Sequence, residues 1–186
     1  MEYSGDLIEI EDLKFEKFKS SAEISKTIER IVDRLHSQFD EGERVTFICI
    51  LKGSFVFTAD LVRAFNRPCT IEFIRCRSYQ GLTSNRSPQI DYTSFDSLED
   101  QHVVILEDIV ETGHSLDLIH DLIMSTKPAS LTTVCLLHKP DSTELEIPVD
   151  HVGFKIDNAF VIGYGLDYNG QGRNLPDIYR QIEESN

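Results

Sequence analysis

The sequence contains several short, nearly continuous apolar segments, and these limit the possible fold more than any other feature. They cover residues 45–51, 103–106 and 132–137. A strand with one face in water alternates apolar and polar residues, whereas a strand covered on both faces is apolar throughout. The three segments therefore predict buried strands of a parallel sheet.

Helical patterns occupy stretches between these strands. From Ser20 or Ser21, apolar residues recur with a period near 3.6, which predicts an amphipathic helix of about four to five turns. The residues that carry this pattern are Ile24, Ile28, Ile31, Val32 and Leu35. Residues 54–65 show a similar pattern that stops before Pro68, and a third helix is expected over residues 115–124. Strands alternating with helices predict an α/β fold.

Other parts of the chain are less regular. Residues 1–19 predict a strand or an arm, with apolar side chains between positions 7 and 18. The polar stretch over residues 78–100 is longer than an ordinary connection, which indicates either a functional lid or an embedded hairpin. Two short strands are expected over residues 152–156 and 160–163.

The composition fits one compact globular domain that occupies residues 1–186. Of these residues, 40% are hydrophobic and 27% are charged. The 18 lysines and arginines face 32 aspartates and glutamates, which gives a formal net charge of -14. Binding to nucleic acid or to an anionic membrane depends on clustered basic groups, so neither partner is expected.

The cysteines and the N-terminal residues predict a cytoplasmic protein. The chain begins with acidic residues where a signal peptide would be basic, and no apolar run approaches the ~20 residues needed to span a bilayer. The four cysteines form no C-x-x-C pair and lie in or beside apolar segments, which is typical of buried free thiols. They are Cys49, Cys69, Cys76 and Cys135.

Residues 103–116 carry most of the predicted chemistry. An apolar strand leads directly to Glu107 and Asp108, and a turn at Thr112–Gly113 precedes a helix. Ligands of open α/β sheets bind at the carboxyl ends of the strands. Backbone N–H groups at a helix start suit a phosphate, whereas carboxylates accept only and suit vicinal hydroxyls or a divalent cation. The combination predicts a site for a sugar phosphate and a metal ion.

A simpler interpretation of this segment is a solvated strand end followed by an ordinary helix cap. Three acids within residues 107–111, placed against an apolar strand, make that interpretation less favoured. The sequence has no G-x-x-x-x-G-K-[ST] motif, and its glycines between 163 and 172 do not form G-x-G-x-x-G between a strand and a helix. Nucleoside triphosphatase and dinucleotide-binding functions therefore lose support.

Residues 103–116 resemble the phosphoribosyl-pyrophosphate signature of the type I phosphoribosyltransferases. The chain from about residue 45 to 180 is similar to the hypoxanthine-guanine branch of that family. The other matching segments are residues 50–54, 73–79, 136–139 and 160–169, followed by Arg173. The resemblance implies a central, mostly parallel sheet flanked by helices, with a core over about residues 20–165. It also implies a small hood subdomain built from the N-terminal arm and the C-terminal segment.

The resemblance implies a purine salvage enzyme. Such an enzyme transfers 5-phosphoribosyl from phosphoribosyl pyrophosphate to hypoxanthine or guanine, and it forms IMP or GMP and pyrophosphate with Mg2+. Glu107 and Asp108 would hold the ribose hydroxyls and, with Asp167, the metal ion. The residues expected around the 5-phosphate are Glu111, Thr112, Gly113, His114 and Ser115.

The resemblance also assigns residues to the pyrophosphate and the purine. Lys52, Gly53 and Arg173 would contact the pyrophosphate, and the family's Leu51–Lys52 peptide is often cis. Ser78 and Tyr79 would begin a flexible loop that closes over the site. The residues expected around the base are Lys139 as donor to O6, Phe160 as stacking partner, Val161 through its backbone, and Asp167 near the 2-position.

Glu111 is a departure from the family pattern. The family usually has aspartate at this position, where the carboxylate is placed to accept the proton of purine N7, and Glu111 is the expected catalytic base. The extra methylene shifts that carboxylate, so an alternative function is a weakly active, phosphoribosyl-pyrophosphate-binding regulatory protein of the same fold. The resemblance further implies a homodimer or homotetramer. The apolar composition of the arm at residues 7–18 suggests that it contributes to a contact between subunits. The sequence leaves the preference among hypoxanthine, guanine and xanthine open.

Overall fold

The computed structural model describes residues 5–78, 88–145 and 147–182. Within these ranges it has ten strands, three α-helices and one short 3-10 helix. In chain order they are β1 (Leu7–Ile10), β2 (Leu13–Lys19), α1 (Ser21–Gln38), β3 (Val45–Leu51), α2 (Phe55–Phe65), β4 (Cys69–Ser78), β5 (Pro88–Thr93), β6 (His102–Val110), α3 (His114–Ser125), β7 (Ser130–His138), the 3-10 helix Pro140–Ser142, β8 (His151–Lys155), β9 (Val161–Ile162) and β10 (Ile178–Gln181).

The main sheet has six strands in the order β5-β4-β3-β6-β7-β8. All neighbouring pairs are parallel except β4 and β5, which are antiparallel. Helices α1 and α2 pack on one face of this sheet, and α3 packs on the other. Because both faces are covered, β3 is buried from Val45 to Ile50, which confirms the prediction made from its uniform apolar composition.

Helix α1 begins where the sequence pattern places it. Ser20 is the N-cap, and Glu23 closes a capping box by accepting from the Ser20 backbone N–H at 2.9 Å. The five predicted core residues of this helix are all buried. Capping and the apolar stripe thus agree on one helix start and one buried face.

Within the described part of the polar stretch at 78–100, residues 88–93 form a strand. β5 runs antiparallel to β4, with Ser78 opposite Pro88, as the hairpin interpretation predicted for this part. Tyr79 lies outside the described residues, so the expected loop that begins at Ser78 and Tyr79 stays a prediction.

A second sheet, called the hood below, has the strand order β1-β2-β10-β9. Ile10 and Phe15 from the N-terminal arm are buried in its own core together with Tyr179, whereas Leu7 is 67% exposed. The arm therefore contributes mainly to the hood. β9 pairs with β10, although the predicted core boundary near residue 165 placed it with the main sheet. A strand of two residues is too short for its composition to show which sheet it joins.

The structure meets the expectation for the cysteines in part. All four cysteines are free; Cys49 and Cys135 are buried, whereas Cys69 and Cys76 are half-buried. No helix within the described ranges is long and apolar enough to cross a membrane.

Asp177 connects the hood to the start of α1. Its Oδ1 accepts from the Ser21 backbone N–H at 2.7 Å, and its Oδ2 lies 3.2 Å from Lys17 Nζ. Burial by itself raises the pKa of Asp177, but the donations from Ser21 and Lys17 outweigh burial and lower the pKa of this carboxyl overall. The carboxylate therefore stabilises the fold above the unfolded-state pKa of about 3.9, and this contribution is lost as the pH falls through the lower folded-state pKa.

We expect Asp177→Ala to lower the free energy of unfolding by about 1–3 kcal/mol near neutral pH, because the Ser21 N–H and Lys17 both lose a charged acceptor. Urea denaturation followed by circular dichroism measures this loss, which should shrink at about pH 3 as the wild-type carboxyl becomes protonated. Asp6→Ala is the control, because Asp6 contacts the same lysine at 3.2 Å with a side chain that is 89% exposed. An equal effect of both variants would contradict the assignment to Asp177.

Candidate active site

The carboxyl ends of β3, β6 and β7 meet at one edge of the main sheet. Cys49 of β3 is opposite Leu106 of β6, and Val110 of β6 is opposite His138 of β7. The chain segments that follow these strands therefore lie side by side. The Lys139 N–H donates to the Val110 carbonyl at 2.9 Å, so the end of β7 lies against the turn that follows β6.

Glu107 and Asp108 lie at this edge of the sheet, where their carboxyl groups are largely shielded from water. Glu107 Oε2 is fully enclosed and has no hydrogen-bond partner among the described residues. Burial, with the neighbouring Asp108 charge as a smaller cause, raises the pKa of Glu107 well above its usual range. Burial also raises the pKa of Asp108 to about 6, although backbone N–H donors and Arg173 oppose this rise. Two carboxylates held this way suit a ligand that brings hydroxyl donors or positive charge.

The segment after β3 packs directly on Asp108. The Leu51–Lys52 peptide is cis, as the family resemblance implies. A Cβ added to Gly53 would lie 1.5 Å from Asp108 Oδ2, so a larger residue here would displace the carboxylate. Gly53 lines the cavity described below, whereas the Lys52 side chain is exposed.

The turn after β6 forms a cradle at the start of α3. Gly113 is the N-cap residue with φ 91°, and a Cβ there would lie 2.8 Å from Ile147 Cδ1. A glycine N-cap has no side chain to occupy the first helical turn, which leaves this end open to an anion. A cavity of about 240 Å³ opens here. It is lined by Glu107, Ile109, Val110, Glu111, Thr112, Gly113, Ser115 and Leu116.

His114 lies beside this cradle, and its ring has a different partner. His114 Nε2 lies 2.9 Å from Glu144 Oε2, and both side chains are largely exposed. Glu144 also donates its backbone N–H to the Thr112 carbonyl at 3.1 Å. Gly113 and Ser115 line the cavity, whereas His114 is not among the described residues that line it.

A second cavity, of about 270 Å³, lies next to the cradle, between the main sheet and the hood. Its lining residues are Gly53, Asp108, Ile109, Glu111, Lys139, Phe160, Val161, Leu166, Asp167 and Arg173. Eight of these residues were assigned by the sequence analysis to the purine, the pyrophosphate, proton transfer, the ribose or the metal ion. Ile109 and Leu166 were not anticipated, since an apolar residue gives no sign in the sequence of facing a cavity.

Lys139 and Glu111 are bonded to each other across this cavity. Lys139 Nζ donates to Glu111 Oε1, and the two side chains are 5% and 52% exposed. The ammonium group is therefore nearly enclosed, whereas the carboxylate faces the open side. The sequence analysis placed both residues around the base but did not predict that they pair.

The hood supplies the remaining side chains. Phe160 is 39% exposed, and its ring packs at 6.1 Å from Phe15 and 5.8 Å from Tyr168 between centroids. Asp167 Oδ1 lies 2.5 Å from Arg173 Nη2, and Arg173 Nη1 donates to the Gly165 carbonyl at 2.7 Å. A guanidinium has five N–H donors, so Arg173 retains donors for a further anion.

The donor set fits a magnesium ion that brings most of its own ligands. Within the described ranges, no three His, Cys, Asp or Glu side chains are grouped to hold a metal ion by themselves. Magnesium usually keeps several waters and binds one or two carboxylates together with substrate phosphates. The enclosed, unpartnered Oε2 of Glu107 beside Asp108 is compatible with such an ion.

The fold and this site define a class of protein, and comparison with known proteins agrees. The family model described as the phosphoribosyl transferase domain matches residues 16–169. The chain therefore belongs to this phosphoribosyltransferase family, as the sequence resemblance indicated.

Individual relatives of the chain are phosphoribosyltransferases that are named for hypoxanthine or guanine. A hypoxanthine phosphoribosyltransferase of Haemophilus influenzae is 41% identical over 76% of this chain and 80% of that protein. A hypoxanthine-guanine phosphoribosyltransferase of Aquifex aeolicus is 33% identical over 92% of this chain and 97% of that protein. A crystal structure of a hypoxanthine phosphoribosyltransferase from Staphylococcus aureus has a TM-score of 0.83 and 35% identity, over 95% of this chain and 92% of that one.

We expect Glu111→Ala to lower the free energy of unfolding by about 1–3 kcal/mol, because it leaves an enclosed ammonium group without its carboxylate. Urea denaturation of the substrate-free protein measures the effect. The double variant Glu111→Ala/Lys139→Met should recover most of the loss, since it removes the buried charge as well. A single variant as stable as the wild type would show that the pair contributes nothing to folding.

Proposed function

We propose that the chain transfers 5-phosphoribosyl from phosphoribosyl pyrophosphate to hypoxanthine or guanine and releases IMP or GMP with pyrophosphate. The observation that carries the proposal is one cavity lined by the half-buried carboxylate Asp108, the Lys139–Glu111 pair and Arg173, next to the cradle at the start of α3. The names of the relatives point the same way, since they are all phosphoribosyltransferases of hypoxanthine or guanine. They do not favour the regulatory alternative.

In this proposal, the phosphoribosyl donor occupies the sheet edge. Glu107 and Asp108 accept hydrogen bonds from the ribose 2- and 3-hydroxyls, which compensates their burial. The 5-phosphate sits in the cradle at Glu111 to Ser115, where backbone N–H groups of the first turn donate to it. Lys52 and Arg173 approach the pyrophosphate, with Gly53 allowing the loop to lie close to Asp108.

The purine enters between Lys139 and Glu111. Lys139 donates to O6 of the base, and Glu111 accepts the proton from N7, so the base replaces the direct bond between these side chains. An ammonium group donates and never accepts, which selects an oxo group over the amino group of adenine. Phe160 stacks on the ring, the Val161 backbone contacts its edge, and Asp167 lies near the 2-position.

Bond cleavage leaves negative charge on the departing pyrophosphate and positive charge on the ribose. Arg173 and Lys52 stabilise the first charge, and the Glu107 and Asp108 carboxylates lie near the second. Mg2+, held by Asp167, Glu107 and Asp108 together with the substrate, would supply further positive charge at the pyrophosphate. A loop that begins at Ser78 and Tyr79 would exclude water from the reacting ribose.

We also propose a homodimer or homotetramer in the cytoplasm. Phe55, Ile71, Phe73 and Tyr92 are large apolar or aromatic side chains at least 37% exposed. Ile71 and Phe73 share one face of β4, and a second copy of the chain would cover these two exposed side chains. Free thiols at all four cysteines agree with a reducing compartment.

A spectrophotometric assay tests the proposed activity directly. Purified protein is incubated with phosphoribosyl pyrophosphate, Mg2+ and, in separate reactions, hypoxanthine, guanine, xanthine or adenine. We expect nucleotide from hypoxanthine or guanine and little from adenine. If no base gives a nucleotide while phosphoribosyl pyrophosphate still binds, the regulatory alternative replaces the enzyme.

Glu111→Ala should lower kcat by about 100-fold or more and change KM for either substrate much less, because proton acceptance acts on the transition state. Steady-state kinetics with hypoxanthine measures both constants. Glu111→Asp is the matched variant, since it keeps the carboxylate and should retain most of the turnover. An unchanged kcat in Glu111→Ala would remove this residue as the base.

Lys139→Ala should lower the ratio of kcat/KM for hypoxanthine to that for adenine by about tenfold or more, the loss of a charged hydrogen bond to O6. Lys155→Ala is the control, because Lys155 is an exposed lysine at the end of β8. The ratio should not change in that variant. A ratio that is equally unaffected in Lys139→Ala would separate Lys139 from base selection.

A further inference from the structure

Tyr164 lies in a turn whose backbone conformation is unusual for a large side chain. Gly163, Tyr164 and Gly165 have φ values of 95°, 51° and 103°. The left-handed region is costly for a residue with a bulky side chain and persists only where the surroundings enforce it. The turn belongs to the hood side of the purine cavity, directly before Leu166 and Asp167.

A hydrogen bond to α2 holds Tyr164 in this turn. Tyr164 Oη donates to Asp60 Oδ2 at 2.5 Å, and the ring is 5% exposed. Arg63 forms an ion pair with the other oxygen of Asp60. Burial, with the Asp60 carboxylate as a further cause, raises the pKa of Tyr164, so the hydroxyl remains a donor.

The turn is also pressed against the loop that follows β3. A Cβ on Gly165 would lie 2.0 Å from the Gly53 carbonyl oxygen, and a Cβ on Gly53 would lie 1.5 Å from Asp108 Oδ2. The backbone of Gly165 therefore packs closely against Gly53, and the backbone of Gly53 packs closely against the Asp108 carboxylate. The same Gly165 exchanges two bonds with Arg173: its N–H donates to the Arg173 carbonyl at 3.0 Å, and its carbonyl accepts from the guanidinium at 2.7 Å.

We propose that Tyr164 is a positioning residue for the pyrophosphate end of the site. Through Asp60, it holds Gly165 on the Gly53 loop and thereby fixes the Arg173 guanidinium. This inference rests on the proposed function, because it takes Gly53 and Arg173 as the pyrophosphate contacts.

Few residues separate Asp60 from the Gly53 loop. Helix α2 begins at Phe55, immediately after Lys52, Gly53 and Ser54, so Asp60 and the Gly53 loop belong to one continuous segment. The Tyr164–Asp60 bond joins this segment to the hood. Without the bond, the strained turn is free to relax, and Gly165 and Arg173 move with it. Lys139 and Phe160, which are proposed to contact the purine, are not among the residues that these contacts link.

Tyr164→Phe removes the hydroxyl and keeps the ring. We expect KM for phosphoribosyl pyrophosphate and the Kd of free pyrophosphate with Mg2+ to rise about five- to tenfold, and KM for hypoxanthine to stay within about twofold. Calorimetry with pyrophosphate needs no turnover. An inactive wild type that binds pyrophosphate would therefore refute the proposed function without preventing this test.

Three variants of the partner helix separate positioning from general stability. Asp60→Ala should reproduce the effect of Tyr164→Phe, and it replaces that variant if the latter fails to fold. Asp60→Asn keeps an acceptor for the hydroxyl and should bind pyrophosphate nearly as the wild type does. Arg63→Ala removes only the ion pair to the other oxygen and should leave both KM values unchanged. If Tyr164→Phe raises both KM values together, or neither, Tyr164 has no positioning role.

Discussion

The parallel register of β3, β6 and β7 is the constraint on which the rest of the site depends. It places Cys49 opposite Leu106 and Glu107 opposite Cys135, so three strands deliver their carboxyl ends to the same edge. Side chains that are far apart in the sequence thereby become neighbours. The Lys139–Glu111 pair and the contact of Gly53 with Asp108 both follow from this alignment.

Close backbone approach is the second requirement. Gly53 and Gly165 occupy positions where a Cβ would overlap Asp108 Oδ2 and the Gly53 carbonyl, respectively. These contacts bring the hood against the main sheet and shape the cavity between them. The main sheet contributes carboxylates and Lys139, whereas the hood contributes Phe160 and the Asp167–Arg173 pair. Each sheet by itself therefore holds only part of the site.

Several local features were predictable because their causes are local. Buried strands were recognised from uniform apolar composition, and α1 from its period and its capping serine. The cradle at Gly113 was recognised from a strand, an acidic pair and a Thr-Gly turn in succession. The assignment of these residues to a phosphoribosyl donor came from family resemblance, since residue chemistry alone indicated only a sugar phosphate with a metal ion.

The sequence by itself determined the fold class, the acidic net charge and the types of side chain at the sheet edge, because composition, periodicity and short motifs record local preferences. Only the tertiary structure decided that β9 joins the hood, that Lys139 meets Glu111, and that Tyr164 donates to Asp60. Tyr164 and Asp60 are 104 positions apart in the chain. Such contacts depend on strand order, register and sheet-to-sheet packing, and no local pattern of residues encodes a distance across the fold.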